Sequence, residues 1–257
     1  MERFMLEGLV VAMLGASGGL AEASLHALAE QGAHLVLMGR RQGVLEERAR
    51  QVRARWDRAV QVVVGDIQDE ETWGRLWAAM VSLPGRPFGW VCLVGDPGRL
   101  SPDQWSVPKL AQLFAVNAAA PLLALRDWGH RMKAAGYGGN AVLFASMQAV
   151  HPIEDSLPYA LGKAALVYGA RILAKEFGTP PPVRVNVIAP GVTEAGMALA
   201  SIVRGKYRPY VERGVIPRYG RPEDVARAVV FLMTPDLYMT GQVLLLDGGL
   251  TLRRDLR

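Results

Sequence analysis

The chain has 257 residues, of which 51% are hydrophobic and 21% charged, with a formal net charge of +5. This composition excludes an intrinsically disordered chain, because enough apolar residues are present to form a sizeable core. The single cysteine excludes an internal disulfide framework and a multi-cysteine metal site, so we expect a reducing cytoplasm as the compartment.

The basic excess is spread along the chain, and no aromatic-basic recognition module accompanies it. The arginines at 48–58 alternate with acidic residues, including Glu46, Glu47 and Asp57, which predicts a solvated helix face. A nucleic-acid partner is therefore not expected. No apolar run approaches the roughly 18 residues that span a bilayer, so no membrane partner is expected either.

Short apolar runs alternate with longer amphipathic segments along nearly the whole chain. The runs predict buried strands and the segments predict helices. Six strand–helix pairs and a closing strand predict an α/β fold with a doubly wound, seven-stranded parallel sheet between two helix layers, as one domain over residues 1–257. The predicted strands are 8–14, 34–38, 60–64, 90–94, 141–145, 183–189 and 242–246, and the predicted helices are about 18–31, 42–55, 69–82, 107–134, 156–178 and 222–233.

A glycine-rich turn joins the first predicted strand to the first helix. Residues 14–21 read Leu-Gly-Ala-Ser-Gly-Gly-Leu-Ala. Such a turn lets the backbone approach a pyrophosphate, and the helix start attracts its charge, although a tight structural turn has the same composition. Its position after the first strand favours dinucleotide binding, with these candidate residues: Gly15, Ser17, Gly18, Gly19 and Leu20.

The residues after the second and third strands bear on the choice of cofactor. Arg40 and Arg41 stand where NAD-specific folds usually place an acidic side chain, and arginine can pair with a 2′-phosphate. Either they bind that phosphate or they open an exposed helix; NADP(H) is favoured, with NAD(H) as the alternative. Asp66, next to Ile67, either accepts a hydrogen bond from the adenine or helps to start the next helix.

A serine, a tyrosine and a lysine follow the fifth strand at a suggestive spacing. Tyr159 and Lys163 lie four residues apart on one face of a predicted helix, and Ser146 ends the strand thirteen residues before Tyr159. A phenol can protonate a carbonyl oxygen if a nearby ammonium brings its pKa toward neutrality. Each residue alone also has a structural explanation; their combination predicts an active site.

With these residues in place, the sequence resembles the short-chain dehydrogenase/reductase family of the classical type along essentially its whole length. The glycine turn is similar to the family's Thr-Gly-x-x-x-Gly-x-Gly motif, and Ser146, Tyr159 and Lys163 match its catalytic set. Further matches are Asn117, Arg184-Val185-Asn186 with Pro190-Gly191, residues 218–224, and Thr240-Gly241-Gln242 with Asp247-Gly248-Gly249.

The resemblance implies a Rossmann-like fold and an NADP(H)-dependent oxidoreductase that interconverts a ketone or aldehyde and an alcohol, with a 3-oxoacyl thioester among the candidate substrates. It implies Tyr159 as acid/base, Lys163 as the group that lowers its pKa and binds the nicotinamide ribose, Ser146 on the carbonyl oxygen, and Asn117 in a water relay. A homo-oligomer, tetramer or dimer, is also implied.

The resemblance places further residues at the two ligands. Beside the cofactor we expect Gly95, Pro190, Gly191 and Val192, together with Tyr159 and Lys163. The substrate-binding candidates are Ser146, Gln148, His151, Tyr159 and Met197, beneath a lid formed by residues 193–213. No metal site is expected, because the histidines lack partners at metal spacing, and Cys92 is expected to be an inert core residue.

The chain departs from the family pattern at the cofactor side. Leu14 replaces the threonine of the glycine motif, Ala21 replaces its last glycine, and Gly95-Asp96-Pro97-Gly98 replaces Asn-Asn-Ala-Gly. These departures motivate an alternative function, a dinucleotide-binding sensor or scaffold with little or no turnover. The enoyl-reductase branch also lacks the latter stretch, but its wider Tyr–Lys spacing requires a tyrosine at Ser156.

Overall fold

A seven-stranded parallel sheet with the strand order β3–β2–β1–β4–β5–β6–β7 forms the centre of the protein, in a computed structural model that describes residues 5–252. The predicted doubly wound α/β architecture is confirmed. The strands are β1 (Leu9–Leu14), β2 (His34–Gly39), β3 (Val60–Val64), β4 (Arg86–Cys92), β5 (Gly139–Phe144), β6 (Val183–Pro190) and β7 (Val243–Leu246).

Helices connect the strands and cover both faces of the sheet. They are α1 (Ala21–Glu30), α2 (Gln42–Trp56), α3 (Glu70–Ser82), α4 (Val107–Phe114), α5 (Ala120–Ala134), α6 (Leu157–Glu176), α7 (Gly196–Val203), α8 (Arg208–Glu212) and α9 (Pro222–Leu232). The strand order reverses between β1 and β4, and ligands of such sheets bind beyond the carboxyl ends of the strands at that point.

The two hydrophobic cores follow from the alternation of side chains along the strands. In β1, Val10, Ala12 and Leu14 pack with residues of α3, α5 and α6, whereas Val11 and Met13 pack with residues of α1, α2 and α9. Because successive strand residues point to opposite faces, one continuous apolar run supplies both cores. The central strands, such as β1 and β5, are therefore buried on both faces of the sheet.

Strand β4 begins four residues before the predicted start. Its first residues, Arg86, Pro87 and Gly89, are poor strand formers, so the sequence pattern missed them. The structure explains Gly139 on the neighbouring strand: a Cβ there would lie 2.2 Å from the carbonyl oxygen of Phe88. The close approach of β4 and β5 thus requires glycine at position 139, although glycine is unfavourable in strands.

The predicted helix 107–134 is interrupted by a π-helical turn at Ala115–Ala119, which separates α4 from α5. Such turns are frequent at functional sites, and this one carries Asn117. Within residues 5–252, the stretch Val107–Ala134 is the one helical segment long and apolar enough to cross a membrane. Core helices of soluble folds meet the same criterion, and here Leu125 and Trp128 are buried in the core.

Two expectations about single side chains have opposite outcomes. Cys92 is buried in the core, as predicted, and burial raises the pKa of its thiol to about 12. The arginine cluster at 48–58 was predicted to form a solvated helix face, and this prediction is wrong at Arg48, which is 8% exposed beside Leu45 and Val52. Within residues 5–252, no group of three or more potential metal ligands occurs.

Candidate active site

A cavity of about 390 Å³ lies beyond the carboxyl ends of the central strands. Its wall includes Ser146, Tyr159 and Lys163, so the structure brings the predicted catalytic side chains together. Predicted cofactor residues also line it, namely Leu20, Pro190, Gly191 and Val192. The opposite wall comes from the predicted lid, which forms the short helices α7 and α8.

Ser146 and Tyr159 both line this cavity. Ser146 lies two residues after the end of β5, and its Oγ accepts a hydrogen bond from the Gln148 N–H at 3.2 Å. Burial raises the pKa of Tyr159 to about 12, while the Ser146 hydroxyl acts in the opposite direction. The structure therefore departs from the expected shift toward neutrality, because the cost of burying a phenolate dominates. The phenol is in its protonated form at neutral pH.

Lys163 is held at the ends of two strands, one helical turn after Tyr159. Its Nζ donates to the carbonyl oxygen of Phe144 at 2.8 Å and to that of Val94 at 3.3 Å. It lies 5.9 Å from the centroid of the Tyr159 ring, and the side chain is 2% exposed. Burial lowers the pKa of Lys163 to about 8. The ammonium thus sits beside the phenol on fixed backbone acceptors.

Asn117 binds the loop that departs from the family pattern. Its Oδ1 accepts from the Asp96 N–H at 3.0 Å, and its Nδ2 donates to the Asp96 carbonyl oxygen at 2.9 Å. The side chain is completely buried, so these bonds satisfy a polar group that would otherwise be costly. Asn117 therefore stabilises the loop at 95–98 directly, as a buried amide bonded to backbone.

The Asp96 carboxylate serves the turn of its own loop. Its Oδ1 accepts a hydrogen bond from the Gly98 N–H at 2.9 Å, which forms an Asx-type turn. Gly98 adopts a φ of +54° in this turn. Gly95, on the other side, faces the catalytic residues: a Cβ there would lie 3.0 Å from Lys163 Nζ and 3.1 Å from Asn117 Oδ1. The loop is therefore built to let the backbone approach these two side chains.

The glycine turn is packed closely against its surroundings. Gly15 has a φ of +75°, and a Cβ on it would lie 3.0 Å from the Val94 nitrogen. A Cβ on Gly19 would lie 2.5 Å from the Gly196 nitrogen, at the start of the lid helix α7. Gly18 closes the turn through its N–H, which donates to the Gly15 carbonyl oxygen at 2.8 Å. The glycines therefore serve close backbone contacts at the end of β4 and at the lid.

The residues that were expected at the adenosine end of the cofactor differ in their exposure and in their hydrogen-bond partners. Arg40 is 79% exposed, with its Nη1 3.6 Å from Asp66 Oδ2. Arg41 instead donates to the Ser17 carbonyl oxygen, which engages it in the turn. Asp66 also accepts from the Gln68 N–H at 3.0 Å, and Ile67 is buried in the core. Arg40 is therefore the cation that is available at this end.

Comparison with known proteins agrees with this geometry. A family model described as "Enoyl-(Acyl carrier protein) reductase" matches residues 15–251. A short-chain type dehydrogenase/reductase from Mycobacterium ulcerans is 26% identical, with a TM-score of 0.88 over 97% of this chain and 92% of that one. The chain belongs to the short-chain dehydrogenase/reductase family. It is an oxidoreductase that acts on CH–OH groups with NAD(P).

Two other members of the family illustrate its range. The glucose 1-dehydrogenase of Gluconobacter oxydans is 30% identical over 255 residues, which cover 96% of this chain and 94% of that protein. The NADPH-dependent 3-quinuclidinone reductase of Rhodotorula rubra is 27% identical, with a TM-score of 0.84 over 98% of this chain and 94% of that one. Similar folds thus serve a sugar dehydrogenase and a ketone reductase.

The substrate side of this short-chain dehydrogenase/reductase matches the predicted residues in part. Gln148 and Met197 line the cavity. The cavity wall, as far as the structure describes it, does not include His151, which had been expected at the substrate. The chain turns after Ser146, with the His151 N–H donating to the Met147 carbonyl oxygen at 2.9 Å. Ile153 and Glu154 reach the cavity in its place.

Sequence reasoning missed one contact that connects the lid to the loop after β4. Arg99 Nη2 donates to the Met197 carbonyl oxygen at 2.9 Å, and both residues line the cavity. An exposed arginine in a loop carries no pattern that would indicate its partner. The bond gives the lid a fixed point at the entrance to the cavity.

Substitution of Gly95 by alanine is expected to lower kcat about tenfold in this enzyme, with little change in thermal stability. The added Cβ would press on Lys163 Nζ and Asn117 Oδ1, and small displacements of positioned groups reduce catalysis strongly. Steady-state kinetics and thermal unfolding measure the two effects. Gly43→Ala, where a Cβ meets nothing within 4 Å, is the matched control. Unchanged kcat in Gly95→Ala would contradict the prediction.

Proposed function

We propose that this enzyme interconverts a small ketone or aldehyde and its alcohol with NADP(H), using Tyr159 as the acid/base. The observation that carries the proposal is the cavity that Ser146, Tyr159 and Lys163 line together, with Lys163 Nζ 5.9 Å from the centroid of the Tyr159 ring. Bound NADP(H) supplies or accepts the hydride. The fit of a dinucleotide is supported by the lining residues after β6 and by the glycine turn, whose Leu20 reaches the same cavity.

The chain's own residues hold and move the proton. In reduction, the Tyr159 phenol, which is protonated at neutral pH, donates its proton to the carbonyl oxygen. Ser146 donates a hydrogen bond to the same oxygen and so orients the carbonyl group. Lys163 lies at the phenol on two backbone acceptors, where a positive charge favours the phenolate that forms. Asn117 is proposed to support a water relay, and its side chain holds the loop at 95–98 through its bonds to Asp96.

The preference for NADP(H) over NAD(H) is proposed from Arg40. This guanidinium is exposed beside the end of β2, and the carboxylate of Asp66 lies 3.6 Å from it. Arg41 cannot serve in the same way while it donates to the turn at Ser17. A 2′-phosphate would offer Arg40 a stronger, doubly hydrogen-bonded partner than Asp66 does.

The cavity favours a compact substrate with polar groups. Its volume of about 390 Å³ would have to hold the nicotinamide end of the cofactor together with the substrate. The lid side supplies Met197 and Tyr207, whereas Gln148 and Glu154 add polar groups. Enoyl reduction is not favoured, because Ser156 stands where that branch needs a tyrosine. A panel of sugars, polyols, cyclic ketones and 3-oxoacyl thioesters, assayed in both directions with NADPH and NADP⁺, tests the substrate class.

A homo-oligomer is proposed from an apolar surface on α5 and α6. Leu123, Leu161, Tyr168 and Ile172 are between 48% and 67% exposed. Three of them recur at helical spacing on α6, and a second copy of the chain would cover the stripe. We expect light scattering after size exclusion to give a dimer or tetramer, and Ile172→Arg to shift it toward the monomer. Val81→Arg on α3 is the control, and a monomeric wild type would refute the proposal.

We further propose that residues 1–257 fold as one cytoplasmic domain. All seven strands, from Leu9 to Leu246, belong to one sheet. The single cysteine, Cys92, is unpaired and buried, which agrees with a reducing compartment.

A further inference from the structure

Arg48 occupies a core position on helix α2. The buried residues of this helix are Leu45, Arg48, Ala49 and Val52, which form one stripe at helical spacing. An arginine is rarely buried unless its guanidinium is paired and hydrogen-bonded. Burial lowers the pKa of Arg48 from its ordinary value, and the nearby Glu22 acts in the opposite direction. Some feature of the fold therefore has to compensate for placing this charge in the core.

The compensation comes from the glycine turn. Arg48 Nη1 donates to the carbonyl oxygen of Ala16 and, at 2.9 Å, to that of Gly18. Arg48 Nη2 lies 3.3 Å from Glu22 Oε2 in the first turn of α1. Two peptide planes of the turn, 16–17 and 18–19, are thereby held by one side chain from another helix.

Holding these two carbonyl groups also orients two N–H groups. In a trans peptide, the C=O of one residue and the N–H of the next point in opposite directions. With the Ala16 and Gly18 carbonyls directed at Arg48, the N–H groups of Ser17 and Gly19 point to the other side of the turn. Within residues 5–252 neither N–H group has a hydrogen-bond acceptor. By contrast, the intervening Gly18 N–H is used inside the turn.

We propose that Arg48 is a positioning residue that aims the Ser17 and Gly19 N–H groups at the pyrophosphate of the dinucleotide. The inference rests on the proposed function and concerns the diphosphate rather than the 2′-phosphate. Arg48 acts through the backbone: it fixes the donors, withdraws two carbonyl oxygens from the anion, and adds a positive charge behind the turn. Glu22 balances part of that charge on the side away from the turn carbonyls.

The test compares Arg48→Met and Arg48→Lys with wild type, using ADP and 2′-AMP as competitive inhibitors against NADPH. For Arg48→Met we expect the Ki of ADP to rise at least about tenfold, because oriented hydrogen bonds to a charged group are lost. The Ki of 2′-AMP, which lacks a diphosphate, and kcat at saturating NADPH are expected to change less than about twofold. Arg48→Lys keeps the charge without the planar fork, so its Ki for ADP should be intermediate.

Arg50→Met is the matched control, because Arg50 lies on the same helix, is 71% exposed and pairs with Glu47. If Arg48→Met does not fold, Arg48→Lys is compared with Arg50→Lys in the same assay. An unchanged Ki of ADP, or equal losses for ADP and 2′-AMP, would overturn the inference and leave the proposed function standing. A wild type that binds neither NADPH nor ADP would overturn both.

Discussion

Tyr159→Phe is expected to lower kcat for carbonyl reduction at least about 100-fold, within the range that general acid catalysis contributes. The substitution removes only the phenol hydroxyl, and the ring can keep its place in the cavity wall. The dissociation constant for NADPH should therefore change less than about twofold. Stopped-flow or steady-state reduction, combined with fluorescence titration of NADPH, separates the two quantities.

Tyr168→Phe is the control for this experiment, because Tyr168 lies on the same helix and is 67% exposed. Its activity should equal that of wild type. If Tyr159→Phe retains more than a tenth of the activity, the proposed acid is wrong. If wild type binds NADPH tightly and turns over no carbonyl or alcohol, the sensor alternative is favoured instead.

The same phenol gives the reaction a directional dependence on pH. With a pKa raised to about 12, Tyr159 keeps its proton across the neutral range, so reduction has its acid available. Oxidation of an alcohol needs the phenolate, and kcat/KM in that direction should rise as the pH is raised from 7 to 10. Lys163, with a pKa of about 8, loses its charge within that range, which should flatten the rise above pH 8.

The sequence was sufficient to predict the sheet and the meeting of Ser146, Tyr159 and Lys163 at one cavity, because both depend on short-range patterns. Continuous apolar runs are typical of strands that are buried on both faces of a parallel sheet. The spacing of Tyr159 and Lys163 places both side chains on one face of a helix. The expected shift of the Tyr159 pKa toward neutrality differs from the structure, because burial raises that pKa. The pKa of Tyr159 depends on the surrounding walls of the cavity, which come from segments far apart in the chain.

Arg48 and Asn117 illustrate what local patterns do not contain. Arg48 stands in an arginine-rich helix, so its composition predicts solvent, yet its partners are carbonyls of the glycine turn, 32 and 30 residues away. Asn117 lies in a π-helical turn inside an apolar helix pattern, and its partner Asp96 belongs to another loop. In both cases the hydrogen-bond partners are backbone carbonyl and N–H groups. The direction in which a backbone group points cannot be predicted from the order of the side chains.

Arg40→Asp is expected to lower kcat/KM with NADPH at least about 100-fold, which corresponds to the loss of about 2.7 kcal/mol of transition-state binding. The new carboxylate would stand near Asp66 and repel a 2′-phosphate, whereas it could accept hydrogen bonds from the ribose of NADH. The value of kcat/KM with NADH should stay constant or rise, so that the preference between the cofactors reverses. Arg50→Asp, on the exposed face of α2, controls for the change in net charge.

Two results would show that Arg40 does not bind the 2′-phosphate. Either the wild type prefers NADH, or the Arg40→Asp variant loses affinity for both cofactors equally. Because Arg41 is engaged at Ser17 in the structure, Arg41→Asp should weaken both cofactors through the turn rather than reverse the preference.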